Sequence, residues 1–189
     1  AHGDGVDIFE PGTTASDELK AMAEGGAIDG LIEMVGGVDA DTIANPAGGL
    51  LVPGDTVTFS MTTAAEHPLL SLVAMLLPTN DGFVGLDSLM LPTTVGSYHY
   101  DLLAYDAGSE ANDERITGGG APGAAGIPAD PGGNSGTGGS GVTVHESNPT
   151  VHVHRGVLGD GQSEGGISDL DRTVHRWLNP VARLTIDVQ

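Results

Sequence analysis

Cysteine is absent from these 189 residues. That excludes a disulfide framework, a thiolate metal site and a cysteine nucleophile. Basic residues are nearly absent too. There are 6 against 26 acidic ones, and Lys20 is the only lysine. The formal net charge of -20 repels nucleic acid and anionic membranes at low salt. Such a surface tolerates high ionic strength, where screening removes the self-repulsion. Acidic, lysine-poor composition points to a protein of a salt-loving organism, the plainer alternative being an ordinary acidic secreted protein. Long apolar runs are also missing. The longest, Leu69 to Leu77, is broken by Ser71 and is the size of a strand, well short of the roughly 18 residues that a membrane helix needs. The chain begins at Ala1 rather than methionine, which points to removal of a secretion signal or to trimming.

What is present divides by period. Residues 16–35 read as helical. Ser16 is placed to cap, Asp17 and Glu18 suit the first turn, and Leu19, Met22 and Ala23 form one apolar face. Gly25 and Gly26 should end that helix, with a short second turn carrying Ile28, Leu31, Ile32 and Val35. From Leu50 the period becomes two. Val57, Phe59 and Met61 alternate with polar residues and predict a half-buried strand. His67 to Leu77 reads as a central strand covered on both faces. Strands are expected over 83–91 and 98–105, at Thr150–Arg155, and over 181–188. Residues 117–141 hold glycine, proline, alanine and serine and no aromatic, and read as a flexible insertion outside the core. Many short strands with one early helical excursion predict an all-β fold, a β-sandwich or barrel, in one domain over 1–189.

The acidic turns carry the first functional expectation. If 83–91 and 98–105 form a hairpin, the start of one lies beside the end of the other. Asp81, Asp106 and Glu110 then share one end of a sheet. Crowded carboxylates repel unless they are solvated, protonated or cation-bound. Calcium suits them, since it accepts 6–8 oxygen ligands at about 2.3–2.6 Å in flexible geometry. Gly82 and Gly108 let backbone carbonyls turn inward. In so acidic a chain a chance surface cluster is the competing explanation. Glu66 is set aside, because it precedes the strand whose far end carries the turn.

The same residues resemble a family. PTNDGFVGLDSL (78–89), YDAGSE (105–110) and NPVARLTIDV (179–188) are similar to the spondin N-terminal domain. HPLLSLVAMLLP (67–78) and VHVHRG (151–156) resemble its prokaryotic branch. The resemblance implies an antiparallel, C2-like β-sandwich with a bound calcium ion, acting in extracellular adhesion or assembly rather than catalysis. It implies Asp81 and Asp106 as calcium ligands. Glu110 stands where animal members usually have Asp, and its longer reach allows bidentate or water-bridged contact. Gly82 departs from a frequent aromatic, and the animal cysteines are absent. Related domains usually open with a strand upstream of the segment that residues 1–12 match. The resemblance therefore implies a missing first strand, and with it self-association by strand addition or a surface or matrix partner.

Two alternatives remain beside this reading. His152 and His154 are two apart, so on a strand they share a face and could offer imidazoles to zinc or copper. The plainer account is a polar sheet face with histidines tied to carboxylates. His2 matches neither N-terminal copper arrangement in position. The second alternative is a hydrolase with dispersed acidic residues. No nucleophile elbow, phosphate loop or zinc-protease helix is present. The expected setting is secreted, extracellular or cell-surface.

Overall fold

The computed structural model describes residues 1–116, 126–128, 148–162 and 166–189. Among the described residues two short helices precede five strands. They are α1 (Asp17–Gly25), α2 (Asp29–Gly36), β1 (Leu69–Met75), β2 (Gly82–Met90), β3 (Gly96–Asp106), β4 (His152–Val153) and β5 (Ala182–Val188). All strand pairs are antiparallel. The architecture is therefore the expected antiparallel all-β one, with helices confined to the N-terminal part.

The helical prediction rests on caps, and the caps are present. Ser16 Oγ accepts from Leu19 N at 3.1 Å. Gly26 takes the left-handed conformation at φ 71°; its N–H donates to Met22 O at 2.8 Å and that of Ala27 to Ala21 O at 3.2 Å, the pattern of a glycine after the last turn. Leu19, Met22 and Ala23 are buried. They pack with Phe9, Ala15, Leu31, Phe83, Ala107 and Val151 in the main core. Phe9 is the centre of an aromatic group. Its ring meets Phe83 edge-on at 5.2 Å and Tyr105 at 5.0 Å. Gly85 sits inside β2 because a Cβ there would come within 2.7 Å of the Phe9 ring.

The longest strand, β3, organises the sheet. Its second half pairs with β2 over Gly82↔Asp106 to Gly85↔Leu103, and with β4 at Tyr105 and Asp106. Its first half pairs with β5 from Gly96↔Val188 to Leu102↔Ala182. β4 and β5 lie end to end along one edge of β3: Ala104 O accepts from His154 N, and Leu102 O from Val181 N. Asn179 closes the join, its Oδ1 accepting from Ala104 N at 2.7 Å.

Three expectations need correction. β1 is not central; it ends the strand order β1-β2-β3-β4, half-buried, and β3 takes the central place. An apolar run reports burial, not position in a sheet. On its outer side His2 bridges Leu69, with N–H to O distances of 2.8 and 3.1 Å. The strand expected at Val57, Phe59 and Met61 does not form, and Phe59 is 43% exposed. Alternation suits a strand, but a strand needs a neighbour to complete its ladder, and none pairs with it among the described residues. Of the insertion 117–141, only 126–128 fall among the described residues, and there Ile127 is fully buried. It bridges Ile116 and joins Val157 and Leu170 in a second core.

The segment between α2 and β1 is fastened at His67, which faces Asp41 and, at 3.4 Å, Asp39. His67 is buried, and its Nδ1 lies 2.8 Å from Asp41 Oδ2. Asp41 Oδ2 also accepts from Ala64 N at 3.0 Å. The bond to Asp41 raises the pKa of His67 above 6.5, and the bond from His67 lowers that of Asp41 below 3.8. Stability from the raised histidine is full below 6.5 and is lost as pH rises through its folded pKa. Stability from the lowered carboxylate is full above 3.8 and is lost as pH falls through its folded pKa. Replacing His67 by Gln is therefore expected to lower the unfolding temperature most between these two limits. The penalty should shrink on either side, as thermal unfolding of both proteins across pH will check.

Candidate metal centre

The β2–β3 register decides the site. Gly82 pairs with Asp106, so Asp81 and Asp106 are neighbours at one end of the sheet, and Ala107 N donates to Asp81 O at 3.1 Å. The turn before β2 is held by Thr79, whose hydroxyl donates to Leu76 O and accepts from Gly82 N. A Cβ at Gly82 would stand 2.6 Å from that hydroxyl oxygen. This is the local reason for glycine at this position. The turn after β3 needs Gly108 at φ 70°, where a Cβ would come within 2.7 Å of the backbone at Pro149 and Thr150.

Asp81 is fully buried. Its Oδ2 accepts from Ser109 N at 2.8 Å, Ser109 Oγ at 3.1 Å and Glu110 N at 3.0 Å. Its Oδ1 is buried, and among the described residues no group donates to it. Burial first, and then the charge of Asp106, push the Asp81 carboxyl up to about 6 against those hydrogen bonds. Asp106 is 1% exposed. Gly108 N donates to its Oδ1 at 2.8 Å and Asn112 Nδ2 to its Oδ2 at 2.6 Å. His152 Nδ1 stands 3.9 Å from Oδ1.

Glu110 joins the site by its backbone more than by its carboxylate. Its N–H binds Asp81, while its Oε2 accepts from Gly126 N at 2.8 Å. Burial chiefly pushes its carboxyl up to about 7, with Glu24 and Asp81 adding to the rise. Among the described residues no group of three or more His, Asp or Glu side chains is arranged to hold a metal ion. The expected three-carboxylate cage thus reduces to two adjacent aspartates, with Glu110 turned aside.

Whether a cation fits is decided by the donor set. A buried carboxylate oxygen without a hydrogen-bond donor, next to a second buried carboxylate, offers two hard anionic ligands. It also leaves uncompensated charge in a desolvated place. In kind, these two carboxylates fit a hard divalent cation such as calcium.

The amides and hydroxyls of the site escaped sequence reasoning. Asn80 is 2% exposed. It donates to Asp113 Oδ1 at 2.9 Å and accepts from Glu114 N at 3.2 Å. Glu114, with φ 56°, is buried and joins three segments. It accepts from Leu158 N at 2.6 Å, Gly159 N at 2.8 Å and Ser168 Oγ at 2.6 Å. The signal available was the mixing of Asn and Ser among the acidic residues in TND and SEANDE. In a bound site, neutral donors must accompany carboxylates.

The two histidines differ in setting. His152 is partly exposed and its Nδ1 lies 2.8 Å from Thr150 O, which makes Nδ1 the protonated nitrogen. His154 is 4% exposed and accepts from Gly156 N on Nδ1 at 2.9 Å. That bond occupies one lone pair and puts the proton of the neutral ring on Nε2. His154 in this tautomer has no lone pair for a metal.

For the metal-free protein the sign of the Asp81 shift fixes an expectation. A carboxyl raised from 3.8 to about 6 stabilises the fold least when ionised, so stability is lost as pH rises through about 6. Asp81→Asn keeps the shape without the charge. Its unfolding temperature relative to the parent is expected to rise between pH 4 and 7.5 (roughly the span of the shift) in chelator-treated protein. A pH-independent difference would contradict the burial of an ionised Asp81.

The Spondin_N family model matches residues 1–114, which is more than half of the chain and includes both acidic turns. No curated protein matches the sequence.

Proposed function

We propose that this chain, which belongs to the Spondin_N family, is an extracellular calcium-binding module that acts in cell-surface or matrix adhesion and assembly. The observation that carries the reading is Asp81 Oδ1, buried without a donor beside Asp106. Asp81 and Asp106 hold the ion directly, and Glu110 contributes through its backbone and, by way of water, its carboxylate. Bound calcium neutralises the paired charge and fixes the turns that leave β2 and β3, a structural role rather than a catalytic one. When bound, the ion supplies positive charge and oxygen coordination; the chain supplies the rigid strand ends and the backbone donors around Asp81.

Secretion is supported by family membership and by composition. No helix among the described residues is long and apolar enough to cross a membrane. The net charge of -20 suits a saline exterior. A partner reached by strand addition is supported by the outer side of β1, where a single bridge from His2 is the pairing found among the described residues.

Calcium that binds the folded state alone stabilises it by about 2.7 kcal/mol at a hundredfold excess over Kd. Thermal unfolding in about 1 M KCl, where nonspecific cation attraction is screened, is expected to show a saturable rise with calcium. The rise should vanish in Asp81→Asn and in Asp106→Asn. No rise with millimolar calcium, or a rise retained in both variants, would defeat the proposal.

A further inference from the structure

His154 is the buried titratable group that the calcium reading does not use. Its Nδ1 accepts the Gly156 N–H, so the neutral ring carries its proton on Nε2. Burial holds the ring neutral, lowering its pKa to about 4, with the nearby charges of Arg155 and His152 adding to this. Nε2–H is thus a donor, and among the described residues no group accepts from it. Trp177 covers the ring at 5.0 Å. A buried donor without an acceptor costs free energy, and proteins seldom leave one so.

The same side chain lines a cavity whose room for the centre of a water molecule is about 10 Å³. That is the space one water needs. Thr79, Asn80, Asn112 and Glu114 are polar members of its lining, and Pro78, Ile127, Val157 and Leu170 are apolar ones. An internal water needs two to four polar partners, as a rule. The carboxylate of Glu114 and the amide oxygens of the two asparagines belong to the class that accepts from water. A metal ion is excluded at this point, because an N–H is aimed from the ring rather than a lone pair.

We propose that this cavity binds one internal water molecule, which accepts from His154 Nε2–H and donates to side-chain oxygens of the wall. The water joins the exit of β4 to the turn 78–81 and to the Glu114 junction. It also gives the second histidine of the His-x-His pair a role that no metal reading supplies. The inference is independent of calcium binding.

Imidazole nitrogen spectra of the wild-type protein at neutral pH test it, together with cross-relaxation from the water signal. The expected result is His154 protonated at Nε2, with that proton relaxing directly with a long-lived water. A crystal structure is expected to place a water within about 2.7–3.2 Å of Nε2. His154→Phe should lose both signals, whereas His154→Gln, which keeps a donor, should retain the water. A proton on Nδ1, an Nε2–H donating to a protein oxygen, or an Nε2–H without cross-relaxation to water would overturn the proposal. The wild-type measurements decide the matter even if neither variant folds.

Discussion

Two aspartates are buried as neighbours because the pairing of β2 with β3 leaves no other arrangement. Once Gly82 stands opposite Asp106, Asp81 must lie at the same strand end. Everything around that point answers the charge. Three donors converge on one oxygen of Asp81, and Gly108 N and Asn112 Nδ2 on the two oxygens of Asp106. The turns take their glycines from close packing: a Cβ at 82 would meet the Thr79 side chain, and one at 108 the backbone of Pro149 and Thr150. The hydrogen bonds offset part of the cost of burial, yet Asp81 is still pushed up to about 6. An added cation would settle the charge while keeping both groups ionised.

The acidic turns also determine how the C-terminal half attaches. Asn80 passes from the Asp81 turn to Asp113 and Glu114. Glu114 then gathers the N–H groups of Leu158 and Gly159 and the hydroxyl of Ser168. Below this polar junction lies the second core of Ile116, Ile127, Val157 and Leu170. The sheet end and the later loops thus share one hydrogen-bonded network. A bound ion that stiffens the first would also steady the second.

Local chemistry made much of this legible in advance. The caps of α1, the β2–β3 hairpin and the meeting of Asp81 with Asp106 follow from short-range signals: a serine before an apolar face, two alternating runs, a known antiparallel geometry. What could not be read is what depends on distant partners. The alternation at Val57, Phe59 and Met61 is that of a strand, but pairing is a property of two segments. The apolar run of β1 suggested the centre of the sheet, whereas β3 holds it because both its edges find neighbours. Ile127 gave no signal in a glycine-rich stretch, and is buried through contacts made across the chain. The direction of the Glu110 carboxylate depends on Gly126 N, a partner that sequence spacing does not reveal.

The account stands or falls on Asp81 Oδ1. A crystal structure of the protein grown in millimolar calcium tests it directly. The predicted result is an ion about 2.3–2.6 Å from Asp81 Oδ1 and from an oxygen of Asp106, with carbonyl and water oxygens completing its shell. Asp81 Oδ1 bonded to a protein donor, with no ion between the two aspartates, would contradict it.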